Sequence, residues 1–314
     1  MITATEYPTN GNVGLKIIHL VNPVIMPSSS DLYVAQPITF ESMRRARLEE
    51  DGAEVILAAA VYPEDRDLVP DYFDRIYSLD RSILDVKEMQ KPRKLPLISD
   101  ILGTVGSEAY DVLIYTNVDI ALMPSFYKAV SHRFRKGTDA FIINRRTIGT
   151  EFTDIQDLEM MYAQAGEIHP GLDCFVMSKE VVDRMYSTQV VIGMDYVGKV
   201  MRVNMEALAK DFKVFEHDHL TFHLGDDRAW KNPELDDYRQ HNREALRSVL
   251  DHYMRRLEGE AEHPALPTLK RYLSRIFSVG EEHQKLETEY SIPSEESLMN
   301  RWKARLKGVL RSKD

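Results

Sequence analysis

The sequence predicts an α/β protein built on a largely parallel central sheet with helices on both faces. Short apolar runs recur through the first half of the chain, and each is closed by proline, glycine or polar residues. These runs are apolar at nearly every position, which is typical of strands that are covered on both faces. The segments between them have helical spacing and end at glycine or proline. Strands that alternate with helices in this way favour a parallel sheet.

The individual elements follow from the same two patterns. The predicted strands are KIIHLV (16–21), AEVILAAAVYP (53–63), DRIYSL (74–79), YDVLIYTNVDI (110–120) and TDAFIINRRTI (138–148). The predicted helices between them are TFESMRRARLEEDG (39–52), KLPLISDILGTVGSEA (94–109) and a segment over 124–134. Because ligands of such sheets bind at the carboxyl ends of the strands, polar residues at those ends are the first candidates for a site.

Composition excludes several classes of protein. The net charge of −10 argues against a nucleic-acid binder, which needs a basic footprint for the phosphate backbone. Cys174 is the only cysteine, so no intramolecular disulfide can form and a reducing compartment is favoured. The longest apolar run, VILAAAV (55–61), is far shorter than the roughly 20 residues of a membrane span. The first residues lack the pattern of a signal peptide, so we expect a cytoplasmic protein.

The character of the sequence changes after Lys231. The remainder is charged, interrupted by proline and helical in pattern, which predicts an α/β domain over 14–230 and a helical extension over 231–314. Residues 294–314 combine helical spacing of Trp302 and Leu306 with many basic residues. Such a helix either packs its apolar stripe on its own domain or touches an anionic membrane surface peripherally.

The stretch TNVDI places two oxygen donors, Asn117 and Asp119, at the end of a buried strand. Oxygen ligands at this position could hold a hard cation such as Mn²⁺ or Mg²⁺, which would keep open positions for phosphate oxygens. The alternative is an ordinary turn in which both side chains bond nearby backbone.

TNVDI resembles the D-x-D motif of the GT-A class of nucleotide-sugar glycosyltransferases, with asparagine at the first position. The resemblance implies a GT-A-like fold over 14–230, in which the motif ends a central strand after a nucleotide-binding half. It further implies that Asp119 contacts the metal more directly than Asn117 does, and that the donor is a UDP- or GDP-sugar.

Two later segments are similar in layout to the acceptor side of that class. In HPGLDCFVMSKEVVDRM (169–185), Asp173 precedes a short strand and is implied to lie near the donor, or else is a simple loop carboxylate. In VIGMDYVGKVMR (191–202), Asp195 takes the position of the general base, which removes the proton of the acceptor hydroxyl. Otherwise Asp195 is a carboxylate that faces the dipole of the following helix.

The segment FEHDHLTFHLGDDRAWKN (215–232) is rich in histidine. HLGDDRAW is similar to a late histidine motif of the retaining, glycogenin-like branch, which implies that His223 binds the metal. The same resemblance implies roles for three further residues: Arg228 and Lys231 would bind the diphosphate, and Trp230 would line the site. If 217–223 is a strand, His217, His219 and His223 share one face and could instead bind catalytic Zn²⁺.

The sequence as a whole therefore predicts a metal-dependent enzyme that moves a hexose-type sugar from a nucleotide diphosphate to an acceptor hydroxyl. Asn22, close to the end of the first strand, is expected to face the nucleotide. Asp195 or Asp173 is expected to act on the acceptor, whose identity the sequence leaves open. Two alternatives remain: a zinc-dependent hydrolase that uses the three histidines, and a non-catalytic binding protein with the same fold.

Overall fold

The computed structural model describes residues 14–225 and 232–277. The chain divides into two compact units, residues 1–270 and 271–314, and of the second unit only 271–277 are described. The site discussed below lies wholly within the first unit.

A seven-stranded sheet forms the centre of the first unit, in the order β10-β6-β9-β4-β1-β2-β3. All neighbouring strands are parallel except β9, which runs antiparallel to β4 and β6. The strands of this sheet are β1 (Leu15–Val21), β2 (Ala53–Val61), β3 (Arg75–Ser78), β4 (Val112–Thr116), β6 (Ala140–Ile143), β9 (Cys174–Ser178) and β10 (Phe212–Phe215). Every residue of β4, β6 and β9 is buried, which is what their unbroken apolar sequences require of strands covered on both faces.

A smaller four-stranded sheet, ordered β5-β11-β7-β8, is formed by strands that alternate in sequence with the later central strands, and it was not predicted. Its strands are β5 (Ala121–Leu122), β7 (Arg146–Ile148), β8 (Glu167–Ile168) and β11 (Thr221–Leu224). The predicted strand over 138–148 is in fact two strands, because β6 belongs to the central sheet and β7 to the smaller one. Polar residues 144 and 145 occupy the break between them.

Eight α-helices are described. They are α1 (Asp31–Glu49), α2 (Ile98–Gly103), α3 (Phe126–Arg135), α4 (Leu158–Tyr162), α5 (Lys179–Arg184), α6 (Val197–Leu208), α7 (Asp236–Arg256) and α8 (Leu266–Phe277). Two predicted helices have the wrong bounds. α1 begins at Asp31 and carries Pro37 on its exposed side, and α2 covers only a fraction of 94–109.

The fold class expected from the sequence, a mostly parallel sheet flanked by helices, is confirmed. Within the described residues, no helix is both long enough and apolar enough to cross a membrane. The boundary predicted at residue 230 stays a prediction. The basic segment 294–314 lies outside the described residues, as does its predicted contact with a membrane.

A buried polar triad of His19, Tyr127 and Thr116 holds the end of β4 in place. His19, at the middle of β1, is fully buried, with Nδ1 2.7 Å from the Tyr127 hydroxyl and Nε2 2.9 Å from Thr116 Oγ1. Burial lowers the pKa of His19 to about 3, so the imidazole is neutral in the folded protein. The triad thus fixes Thr116, the last residue of β4, without placing a charge in the core.

Candidate functional site

The stretch TNVDI leaves β4 through a tight turn at the carboxyl edge of the central sheet. The amide of Ile120 donates to the carbonyl of Asn117 at 3.2 Å, so the turn that the sequence allowed is present. The side chains of Asn117 and Asp119 nevertheless bond residues far away in sequence, 173 and 223 respectively. The turn therefore delivers two polar side chains to a place where distant segments of the chain meet.

Asp119 meets His223 of β11. The carboxylate oxygen Oδ2 of Asp119 lies 3.2 Å from Nε2 of His223, and the histidine side chain is only 6% exposed. The two residues come together because β11 pairs with β5, which directly follows the TNVDI turn. The predicted pairing of the D-x-D-like turn with a late histidine is thus observed as a contact.

The second nitrogen of His223 fixes which atom faces Asp119. Nδ1 lies 2.7 Å from the carbonyl oxygen of Gly225, and a carbonyl can only accept, so Nδ1 carries the proton. Gly225 has a φ of 70°, in the left-handed region that favours glycine. With its Nδ1 proton engaged, His223 faces the carboxylate of Asp119 through Nε2. If Nε2 is protonated it donates to Asp119, and if it is not, a metal cation can join the two acceptors.

The electrostatics of the pair agree with this geometry. Burial by itself lowers the pKa of His223, but the hydrogen bond and charge of Asp119 outweigh it and the pKa is raised. Burial by itself raises the pKa of Asp119, but the bond to His223 and the charge of Arg145 outweigh it and the pKa is lowered. Within the part of the chain that the structure describes, the other carboxylate oxygen of Asp119, Oδ1, is buried without a hydrogen-bond partner. A cation beside Asp119 would satisfy that oxygen, so the residues fit a divalent metal.

A second cluster adjoins the turn and consists of Asp173, Asn117 and Arg145. Asn117 Nδ2 donates to Asp173 Oδ1 at 3.1 Å, and Arg145 forms a salt bridge with Asp173 Oδ2. The register explains the placement: β9 is antiparallel to β4 with Cys174 opposite Thr116, so the residue before β9 lies beside the residue after β4. Asp173 therefore lies beside the TNVDI turn at the carboxyl end of β4.

Arg145 was missed by the sequence analysis. It follows β6, whose carboxyl end reaches the same edge of the sheet as the end of β4, since β9 is antiparallel to both strands. Its guanidinium side chain is 12% exposed and contributes to the electrostatics of both Asp119 and His223. The signal available was the polar pair Asn144 and Arg145 after an apolar strand, but the prediction of one continuous strand over 138–148 hides it.

Asp195 lies in the turn that leads into α6, beside the segment that carries Asp173. Gly198, in the first turn of α6, packs so closely on Leu172 that a Cβ there would come within 2.7 Å of the Leu172 Cβ. Tyr196, the N-cap residue of α6, has a φ of 77°, which is unusual for a residue with a side chain. The first turn of α6, which begins two residues after Asp195, thus packs against the segment that carries Asp173.

The remaining predicted site residues are less informative. Asn22 follows β1 and is 8% exposed, and its Nδ2 donates to the carbonyl of Ala60 at 2.6 Å. This bond ties the end of β1 to β2 and places Asn22 at the expected edge. Arg228, Trp230 and Lys231 lie outside the described residues.

The three-histidine zinc site is not formed by the described residues. β11 begins only at Thr221, so His217 and His219 precede the strand and do not share a strand face with His223. Across residues 14–225 and 232–277, no group of three histidine, cysteine, aspartate or glutamate side chains is placed to hold a metal. The prediction of a strand over 217–223 was wrong. The alternating pattern of the sequence begins at residue 217, but the strand itself begins four residues later, at Thr221.

Comparison with known proteins gives similarities in structure only. No family model and no curated protein matches the sequence. The crystal structure of S. aureus TarS 1–349 is similar with a TM-score of 0.49 at 9% identity, over 91% of this chain and 78% of that one. The same protein in complex with UDP-GlcNAc gives 0.48 at 10% identity, over 91% and 79%. Glucosyl-3-phosphoglycerate synthase from Mycobacterium tuberculosis, in complex with Mg²⁺ and UDP, gives 0.41 at 13% identity, over 76% and 79%.

The topology agrees in two respects with the layout that the sequence resemblance implied. TNVDI closes a central strand of a mostly parallel sheet, after an α/β half made by β1 to β3, and a late histidine returns to it.

Proposed function

We propose that this chain is a glycosyltransferase that moves a hexose-type sugar from a nucleotide diphosphate to an acceptor hydroxyl, with Mn²⁺ or Mg²⁺ bound at Asp119. The observation that carries the proposal is the Asp119–His223 pair at the carboxyl edge of the sheet, together with the unsatisfied oxygen Oδ1 of Asp119. In sheets of this kind that edge is where ligands bind.

The Asp119–His223 pair is suited to a cation for which the protein supplies only some of the ligands. Two ligand atoms at right angles around a cation, each at about 2.1 Å, stand about 3 Å apart. The separation of 3.2 Å between Asp119 Oδ2 and His223 Nε2 is close to that value. Two protein ligands leave most positions to water and phosphate, and Asn117 could add its amide oxygen. When bound, the cation would neutralise charge that develops on the leaving diphosphate.

Arg145 supports the same reaction from the other side of the turn. Its positive charge, near both Asp119 and Asp173, suits it to a diphosphate oxygen, because a guanidinium binds phosphate through a planar fork of donors. We assign the same task to Arg228 and Lys231, and we place Trp230 at the wall of the site and Asn22 toward the nucleotide.

We assign the carboxylate that acts on the acceptor to Asp195 rather than to Asp173. Both oxygens of Asp173 are engaged, Oδ1 by Asn117 and Oδ2 by Arg145, so its carboxylate serves better as a brace. Asp195 precedes α6, whose first turn packs on the Asp173 segment, and this position suits a base that takes a proton from the acceptor hydroxyl. The donor would be a UDP- or GDP-sugar, and the acceptor remains to be identified.

The experiment that tests the proposal is calorimetric titration of UDP and GDP into the full chain, with Mn²⁺ and with chelator. We expect tighter binding of one nucleotide with Mn²⁺, followed by turnover of at least one sugar nucleotide from a panel. Nucleotide binding without turnover of any donor would favour the non-catalytic binding protein. Zinc that survives dialysis against chelator, without nucleotide binding, would favour the hydrolase.

A further inference from the structure

Helix α7 lies in the region that the sequence analysis treated as an extension, yet one of its residues reaches the edge of the candidate site. Asn242 is fully buried and makes three hydrogen bonds to backbone groups of residues 191–195. Its Oδ1 accepts from the amide of Val191 at 2.9 Å. Its Nδ2 donates to the carbonyls of Val191 at 2.8 Å and of Asp195 at 2.9 Å. Both N–H donors of this amide and one lone pair of its oxygen therefore bind the backbone of one short turn.

Contacts with the segment before α2 also hold the start of the turn over 191–196. Val191 forms a bridge with Leu97, and the amide of Ile192 donates to the carbonyl of Pro96 at 3.1 Å. Beyond Ile192 the backbone takes a left-handed φ at Gly193, 73°, and again at Tyr196, 77°. A tyrosine holds such a φ only where the surroundings impose it. The bond from Asn242 to the Asp195 carbonyl, directly before Tyr196, is the contact placed to do so.

We propose that Asn242 is a positioning residue: by holding the carbonyl of Asp195 it fixes the turn that presents Asp195 beside the Asp173 segment. The inference rests on the proposed function, because the reaction gives that turn its task. The mechanical link is the first turn of α6, where Gly198 packs on Leu172, the neighbour of Asp173. A shift of the turn would therefore move the carboxylates of both Asp195 and Asp173.

A matched control is present on the same helix. Tyr253, about three turns further along α7, is also fully buried, and its hydroxyl donates to Asn204 Oδ1 at 2.8 Å. Removing that hydroxyl costs this bond and the one it accepts from the amide of Tyr186 at 3.3 Å, and neither bond involves residues 191–196. Asn242→Leu removes all three bonds to the turn, and Asn242→Asp keeps an acceptor for the Val191 amide while losing both donors.

The first measurement is independent of any reaction. Hydrogen exchange should be faster across residues 191–196 in Asn242→Leu than in wild type, and unchanged there in Tyr253→Phe. Equal protection in the Asn242 and Tyr253 variants would overturn the inference. If neither Asn242 variant folds, wild type still decides: the Val191 amide should exchange as slowly as the core strands, and fast exchange there would overturn it.

The second measurement separates positioning from loss of stability. With Mn²⁺ present and water as acceptor, both Asn242 variants should hydrolyse a UDP- or GDP-sugar about tenfold more slowly than Tyr253→Phe, while the Kd for the corresponding nucleotide stays within about twofold of wild type. Equal hydrolysis rates in the three variants would overturn the inference and leave the proposed function standing. A wild type that binds and hydrolyses no sugar nucleotide would remove the proposed function, with the exchange result left to judge Asn242 alone.

Discussion

His223 turns its Nε2 toward Asp119 at 3.2 Å while its Nδ1 donates to the carbonyl of Gly225. Nε2 so oriented either carries a proton and donates it to the carboxylate or, without that proton, turns a lone pair toward it. Asp119 also keeps a second, buried oxygen without a hydrogen-bond partner in the described chain. The pair is therefore incomplete unless a proton or a cation joins it. The first two predictions follow from this incompleteness.

Replacing Asp119 should separate metal binding from folding. We expect Asp119→Asn to lose the gain in UDP or GDP affinity that Mn²⁺ produces, at least about tenfold, because the amide is a far weaker ligand than the carboxylate. The thermal midpoint of the metal-free protein should stay near that of wild type, since a residue in a strand-end turn carries little of the core. Calorimetric titration with Mn²⁺ and with chelator gives the increment. If Asp119→Asn keeps the full increment, the metal does not bind at this turn.

Replacing His223 should weaken the metal effect without abolishing it. His223→Gln removes the nitrogen that faces Asp119 but leaves the carboxylate, so the Mn²⁺-dependent gain in nucleotide affinity should fall by about tenfold. His219→Gln is the matched control, because His219 precedes β11 and has no place in the proposed metal site. The same titrations compare the two variants. An equal loss in both would revive a site built from several histidines and contradict the assignment to His223 alone.

The sequence predicted most of the fold because its strands are unbroken apolar runs, a strong signal for a sheet covered on both faces. It did not predict the smaller sheet, since β5 and β8 have only two residues each and no periodicity can appear at that length. The same limit hid Arg145, which lies at a break between β6 and β7 that only tertiary pairing reveals.

In the candidate site, too, features that depend on local sequence could be predicted, and features that depend on tertiary pairing could not. TNVDI stood out because polar residues ended an apolar strand, and its contact with His223 could be expected from the resemblance. The engagement of Asp173 by Asn117 and Arg145 depends on β9 running antiparallel to β4, a pairing that local sequence does not encode. Asn242 was invisible for the same reason, because its three bonds cross about fifty residues of chain.

Arg145 should be tested against its neighbour Arg146. We expect Arg145→Met to weaken UDP or GDP binding by about tenfold and to destabilise the protein by about 1–3 kcal/mol, because Asp173 loses a charged partner in a mostly buried place. Arg146→Met is the control, since that guanidinium donates to the backbone carbonyls of Ala165 and His217. Nucleotide titration and urea denaturation measure the two effects. Equal nucleotide affinity in both variants would remove Arg145 from the diphosphate site.

Asp195 and Asp173 should fail in different ways. Asp195→Asn should lose most turnover of a sugar nucleotide while nucleotide affinity stays close to wild type, because a base acts on the acceptor and not on the donor. Asp173→Asn should lose both, since its carboxylate holds Asn117 and Arg145 at the donor side. Steady-state kinetics and titration on each variant separate the cases. Near-normal turnover in Asp195→Asn would exclude it as the base, and the opposite pattern would exchange the two roles.

The free energy of unfolding should depend on pH because His19, in the buried triad with Tyr127 and Thr116, has a pKa lowered by burial. The pKa of His19 is lowered from 6.5 to about 3 by burial, so between these values the unfolded chain binds a proton that the folded chain does not. The contribution of neutral His19 is therefore fully present above pH 6.5 and is lost as pH falls toward 3. The slope within the window approaches about 1.4 kcal/mol per pH unit.

His19→Gln removes this titration while keeping groups that can bond Tyr127 and Thr116. Between pH 7.5 and pH 5 the wild type should lose about 2 kcal/mol more stability than the variant does, because every other titrating group is common to both proteins. Urea denaturation at the two pH values measures the difference. The variant should be less stable than wild type at pH 7.5, since an amide does not fill the space of an imidazole, and the gap should narrow on acidification. A gap that stays constant with pH would mean that His19 is not held neutral in the folded protein, and that the support beneath Thr116 is built differently.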